Sequence, residues 1–182
     1  MSSEELMSIA MLLRERNRID ARIADIVGRP VVSGHLSDWI AAQIFDIELE
    51  PSANSAIDGR FRSGALAGRT VNVKHYTRNQ GLLDMTDSEA LDYYLVMTGP
   101  RSPAAGSAGA HRPWSIEHVY LFDAQALYDE LSAQLRRIGV ATSVRAEYWR
   151  AAEVYPDPAR PALALGPKQT AALASFKAHD DY

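Results

Sequence analysis

The chain has 182 residues, 47% of them hydrophobic and 23% charged, the balance of a globular domain with its own core and not of a disordered chain. It holds no cysteine, which excludes a disulfide scaffold, thiolate metal centres and cysteine nucleophiles. The net charge of −4 does not announce a nucleic-acid binder, no run approaches a membrane span, and Glu4 and Glu5 stand where a signal peptide carries basic residues, so a cytoplasmic protein is expected.

Residues 3–27 read as an amphipathic helix. Ser2 and Glu5 have capping-box spacing, Leu6, Ile9, Leu13, Ile19, Ile23 and Ile26 recur near the helical period, and Gly28-Arg29-Pro30 supplies the stop. Arg14, Arg16, Arg18, Arg22 and Arg29 form a weaker basic cluster that fits a solvated face. The apolar surface exceeds what one sheet face covers, so this helix is expected to cross the domain or to pair with a second copy or a protein partner. A second helix at 34–45 carries Leu36, Ile40 and Ile44 on one stripe, with Asp38 off it.

The period then changes from helical to alternating, at 57–62 and 70–76, with glycines at 64 and 68 reversing the chain between them. Residues 93–98 form an apolar run suited to a central strand covered on both faces. A low-complexity loop at 99–113, a strand at 116–122, a helix at 124–138 and a short strand at 143–149 follow. From Pro156 a Pro/Ala-rich tail reads as extended, with one turn of helix near 169–177. The order predicts an α/β or α+β fold with a mixed central β-sheet flanked by helices: an N-terminal helix (1–30), a core (31–155) and a C-terminal tail (156–182). There is no alternating βαβ unit and no glycine-rich phosphate loop.

The stretch from Asp58 to Lys74 carries the chemistry. Residues two apart on a strand share a face, so Asn72 and Lys74 point together. A hairpin with Arg62 opposite Thr70 places Arg60 opposite Asn72 and Asp58 opposite Lys74, with β-carbons about 5 Å apart on one side. The residues Arg60, Arg62, Arg69, Lys74 and Arg78 face a single acid in this stretch, a local basic excess suited equally to phosphate and to solubility. Read blandly, Asp58-Gly59 is a turn pair and Lys74 an edge-protecting lysine. His35 and Asp38 share a helix face as a surface polar pair, while His111 and His118 have no second histidine at ligand spacing. Ser33-Gly34-His35 lacks a nucleophile elbow. Trp39, Trp114 and Trp149 read as core or rim packing, and Tyr93 and Tyr94 as strand residues that could also stack bases.

An Asp on one strand followed by an x-x-Lys triplet on the next, here Asp58 with Asn72-Val73-Lys74, resembles the PD-(D/E)XK, or restriction-endonuclease-like, nuclease superfamily. The helix beginning Gly34-His35-Leu36-Ser37-Asp38 sits where that superfamily often places a further acid. From Glu15 through Tyr155 the chain is also similar to an uncharacterised bacterial family with GRP, GHLxxWIA, FDIELE, AIDGRF and VNVKxY blocks, itself associated with the nuclease superfamily. The resemblance implies a Mg²⁺- or Mn²⁺-dependent nuclease, or a nuclease-derived DNA-acting protein. Asp58, Asn72 and Asp38 would lie at the metal, Lys74 on the phosphate side, and Arg60, Arg62, Arg69 and Arg78 against nucleic acid. Asn72 departs from the family pattern: an amide oxygen can ligate a metal but brings no charge, so Asp38, Glu48 or Glu50 must supplement it. The alternative is a catalytically inactive module of the same fold that binds DNA or a protein partner.

Overall fold

The computed structural model describes residues 3–31, 34–51, 56–101, 113–134, 137–158 and 163–178, with backbone alone for 3–6. Its helices are α1 (Ser3–Val27), α2 (His35–Phe45), α3 (Ala124–Ala133), α4 (Ala146–Ala152) and α5 (Pro167–Ala174). Its strands are β1 (Ile47–Leu49), β2 (Gly59–Phe61), β3 (Thr70–Tyr76), β4 (Leu82–Leu83), β5 (Tyr93–Thr98), β6 (His118–Asp123), β7 (Thr142–Ser143) and β8 (Glu153–Tyr155). Six strands form one mixed sheet in the order β1-β2-β3-β5-β6-β8, and β4 pairs with β7 apart from it. Within the large sheet β3 and β5 run parallel, and the other neighbours are antiparallel.

Alternation along the central strands divides the core in two. Val71, Val73, Leu95, Met97, Val119 and Leu121 face one side, where α2 brings Ile40, Ile44 and Phe45 and α5 brings Leu173. Tyr94, Val96, Tyr120 and Phe122 face the other, under Leu127 and Leu131 of α3 and Trp149 of α4. The Trp149 ring meets Tyr120 and Phe122 edge-on, with centroids 4.8 and 5.0 Å away. A sheet covered on both faces explains the unbroken apolar run of β5.

The mixed sheet, its flanking helices and the N-terminal helix match the expected architecture, and several local expectations are corrected. Residues 143–149 do not form a strand. Only Thr142 and Ser143 pair, and Ala146–Ala152 is helical, because Ala, Glu and Arg are strong helix formers and the turn carries Trp149 onto the aromatic side of the sheet. Strands β1 and β8 hold three residues each, too few for a period to register. The helix expected over 124–138 ends at Ala133. The tail returns to the body through α5: Gln169 Nε2 donates to the Ile44 carbonyl at 2.9 Å, and Leu173 is fully buried. The expected cap at Ser2, Ser33, and His111 with most of its loop lie outside the described residues.

The β2–β3 register also differs. Arg60, not Arg62, stands opposite Thr70, and Gly59 stands opposite Val71. Arg62 is drawn instead to Asp46, whose main-chain oxygen accepts its N–H at 2.8 Å, which leaves residues 62–68 to make the turn. The displacement is by two residues, so Arg60 stays on the face of β3 that carries Asn72 and Lys74, while Asp58 lies just outside the paired residues.

Candidate active site

Strand β2 leaves β3 at Asp58, and the departure makes the site. The Asp58 N–H still donates to the Val71 carbonyl at 2.9 Å, but the next ladder bond goes from the Val73 N–H to the Asp58 carboxylate, Oδ2, at 2.7 Å. A side chain thus replaces the main-chain acceptor, and among the described residues no strand pairs with β3 on this side beyond Val71. Asn72 secures the diverging chain by donating from Nδ2 to the Ala56 carbonyl at 2.8 Å. Gly59 is part of β2 and not of a turn. A Cβ there would collide with the Glu48 carbonyl and meet Ile47 Cγ2 at 2.7 Å, so glycine lets β1 press against the strand directly behind Asp58.

A cleft of ≈ 600 Å³ wraps the open edge of β3 and takes residues from both of its faces: Asp58, Lys74, His75 and Tyr76, with Asp38 from the first turn of α2. Gly34, at φ 102°, precedes α2, and its carbonyl accepts both the Asp38 N–H and the Ser37 hydroxyl at 2.8 Å, which fixes the turn that presents Asp38. Burial raises the Asp38 carboxyl to about 7, and the Asp58 charge adds to the rise, while Lys74 and Arg29 oppose it. Burial also pushes Asp58 up, against the Val73 N–H bond and Lys74. Two carboxyls and one ammonium therefore share a partly desolvated space.

Two wall residues, His75 and Asp84, carry no expected role, and a third, Trp114, is expected only as core or rim packing. His75 bonds the Ser115 carbonyl through Nε2 at 3.0 Å and stacks on Trp114 at 4.4 Å between centroids. Burial lowers its pKa against the effect of that bond, favouring the neutral ring. Asp84 joins the wall through its N–H bond to the Tyr76 hydroxyl at 2.9 Å. His75 follows Lys74 directly, so strand alternation alone would assign it to the opposite face; the signal is lost because the cleft wraps an edge.

Other expected participants lie elsewhere. Asn72 is buried and does not line the cleft, and among the described residues its Oδ1 has no hydrogen-bond partner. Glu48 and Glu50 are also outside the lining; Glu50 pairs with Arg60 at 3.5 Å. Arg62 pairs with Asp46 at 3.0 Å and Arg69 with Asp92 at 2.9 Å, at the opposite end of β3. Arg78 follows Thr77, which lines the cleft. His35 adjoins the turn with a buried, unpartnered Nδ1, and His118 binds Glu153 at 2.7 Å, away from the cleft. Tyr94 is buried, with its hydroxyl bonded to Thr86, and so offers no base platform. A second cleft of ≈ 360 Å³, beside Asn79, Arg101, Trp149 and Arg150, has no acid in its lining among the described residues.

The donor set suits a hard divalent cation. Mg²⁺ takes one or two carboxylates and keeps several waters, and Asp38 and Asp58 offer two carboxylates whose mutual repulsion a cation would relieve. Among the described residues, no group of three His, Asp or Glu side chains has metal-ligand spacing. Comparison with protein-family models and with curated proteins returns no match for this chain.

Proposed function

We propose that the chain is a metal-dependent phosphodiesterase acting on nucleic acid, with a restriction-endonuclease-like arrangement of sheet and helices. The observation that carries this reading is the lining of one cleft by Asp58, Lys74 and Asp38 at the point where two antiparallel strands part. In this reading Asp58 and Asp38 hold Mg²⁺ or Mn²⁺, and Asn72 supports the loop behind them. The cation, when bound, supplies a water of lowered pKa and positive charge against a phosphate oxygen.

The remaining work belongs to the chain. The Lys74 ammonium neutralises charge that develops on a phosphodiester at the cleft. Asp38, which burial holds protonated up to about 7, must release that proton to hold the cation, so cation uptake below that pH sheds a proton. Val73 N–H fixes one oxygen of Asp58, which holds this carboxylate in the lining of the cleft. The His75 ring stacked on Trp114 forms one wall of the cleft.

A plasmid-nicking assay with Mn²⁺ tests the proposal. Cleavage by the wild type is expected, with loss of at least about a hundredfold in Lys74→Ala and in Asp58→Asn. Cleavage unaffected by either substitution would overturn it. The buried amide at Asn72, where an acid would add charge, favours a second reading as an inactive DNA- or protein-binding module. DNA retention without Mn²⁺ binding or cleavage would select that reading.

A further inference from the structure

Both faces of the large sheet are covered by α2, α5, α3 and α4, and α1 contributes to neither buried cluster. Most of its large apolar side chains remain in solvent: Ile9, Leu12, Ile19 and Ile26 are 53%, 58%, 48% and 72% exposed, and Ile23 is half-buried. These residues follow a heptad. Ile9, Arg16 and Ile23 fall at its first position, and Leu12, Ile19 and Ile26 at its fourth. From Ile9 to Ile26 the seam runs about 26 Å, long enough for six layers of side chains.

We propose that α1 pairs with α1 of a second copy as a two-stranded antiparallel coiled coil. The charges select both the occupant and the direction. A parallel pair would stack Arg16 on the partner's Arg16 inside the seam and set Glu15 against the partner's Asp20 at its flank, like charge on like in both places. In the antiparallel pair Ile9 meets the partner's Ile26, Leu12 meets the partner's Ile23, and Arg16 lies over the partner's Ile19. Glu15 then faces the partner's Arg22 on both sides of the two-fold axis. The Arg16 guanidinium, 3.7 Å from Asp20 on its own helix, stays compensated at the edge of the seam. One sequence is therefore complementary to itself in this direction only.

Sedimentation of the full chain at micromolar concentration tests the pairing. A dimer is expected, and Ile19→Asp should weaken it at least about tenfold while leaving the circular dichroism of the domain intact, because α1 stands off the core. Glu15→Arg should weaken it about tenfold, and Glu15→Arg with Arg22→Glu should restore it. A monomer throughout, or a dimer indifferent to Ile19→Asp, would overturn the proposal. Tighter association in Glu15→Arg would overturn the antiparallel direction, because that change relieves a clash only in a parallel pair.

Discussion

Removing the Asp58 carboxylate withdraws a hydrogen-bond partner from Val73 as well as a charge from the cleft, and the two losses can be separated. Asp58→Asn keeps an acceptor for the Val73 N–H, so urea unfolding should change by no more than about 1 kcal/mol. Asp58→Ala leaves that buried N–H unpaired and should cost about 1–3 kcal/mol. Asp38 gives a pH signature. In the unfolded chain it releases its proton near 3.8, whereas in the folded chain it keeps the proton to about 7. The folded state binds the additional proton between those values, so this residue lowers stability progressively as pH rises through that window and evenly above it. Asp38→Asn should therefore stabilise the protein above pH 7, by at most about 4 kcal/mol, and make no difference below its unfolded value. Equal melting-temperature changes at both ends of the range would show that the carboxyl is not held protonated by the fold.

At the scale of elements, the site depends on β2 stopping early and on β1 pressing close behind it. Gly59→Ala should cost about 1–3 kcal/mol by calorimetric melting, because the Glu48 carbonyl occupies the space a methyl group needs. Leu173→Ala should cost about 2–5 kcal/mol, which would place the C-terminal helix within the cooperative unit. The strand periods near Asp58 and Lys74 and the off-stripe position of Asp38 were legible because alternation and helical spacing are local properties. That alternation put Asn72 beside Lys74 but did not reveal that its amide turns inward to Ala56. Trp114 and Asp84 reach the cleft from loops remote in sequence, and neither carries a local signal of its place. Residues 143–149 misled because β-branched and aromatic residues there serve packing onto the sheet and not pairing within it.

Across the whole molecule, cations near the cleft differ from those remote from it. Arg62 and Arg69 sit at the far end of β3 and are already paired with acids, whereas Arg78 directly follows the cleft residue Thr77 and Arg29 reaches Asp38 electrostatically. Arg78→Ala should weaken nucleic-acid binding and lower its salt slope by about 1, and Arg69→Ala should do neither, as read by fluorescence anisotropy across a salt series. The central claim is that Asp38 and Asp58 form one cation site, and Mn²⁺ calorimetry at stepped pH tests it most directly. Binding requires Asp38 to be ionised, so wild-type affinity should rise about tenfold per pH unit up to about 7 and then level off, while Asp58→Asn abolishes it. Affinity that is flat across this pH range, or that survives in Asp58→Asn, would contradict the account.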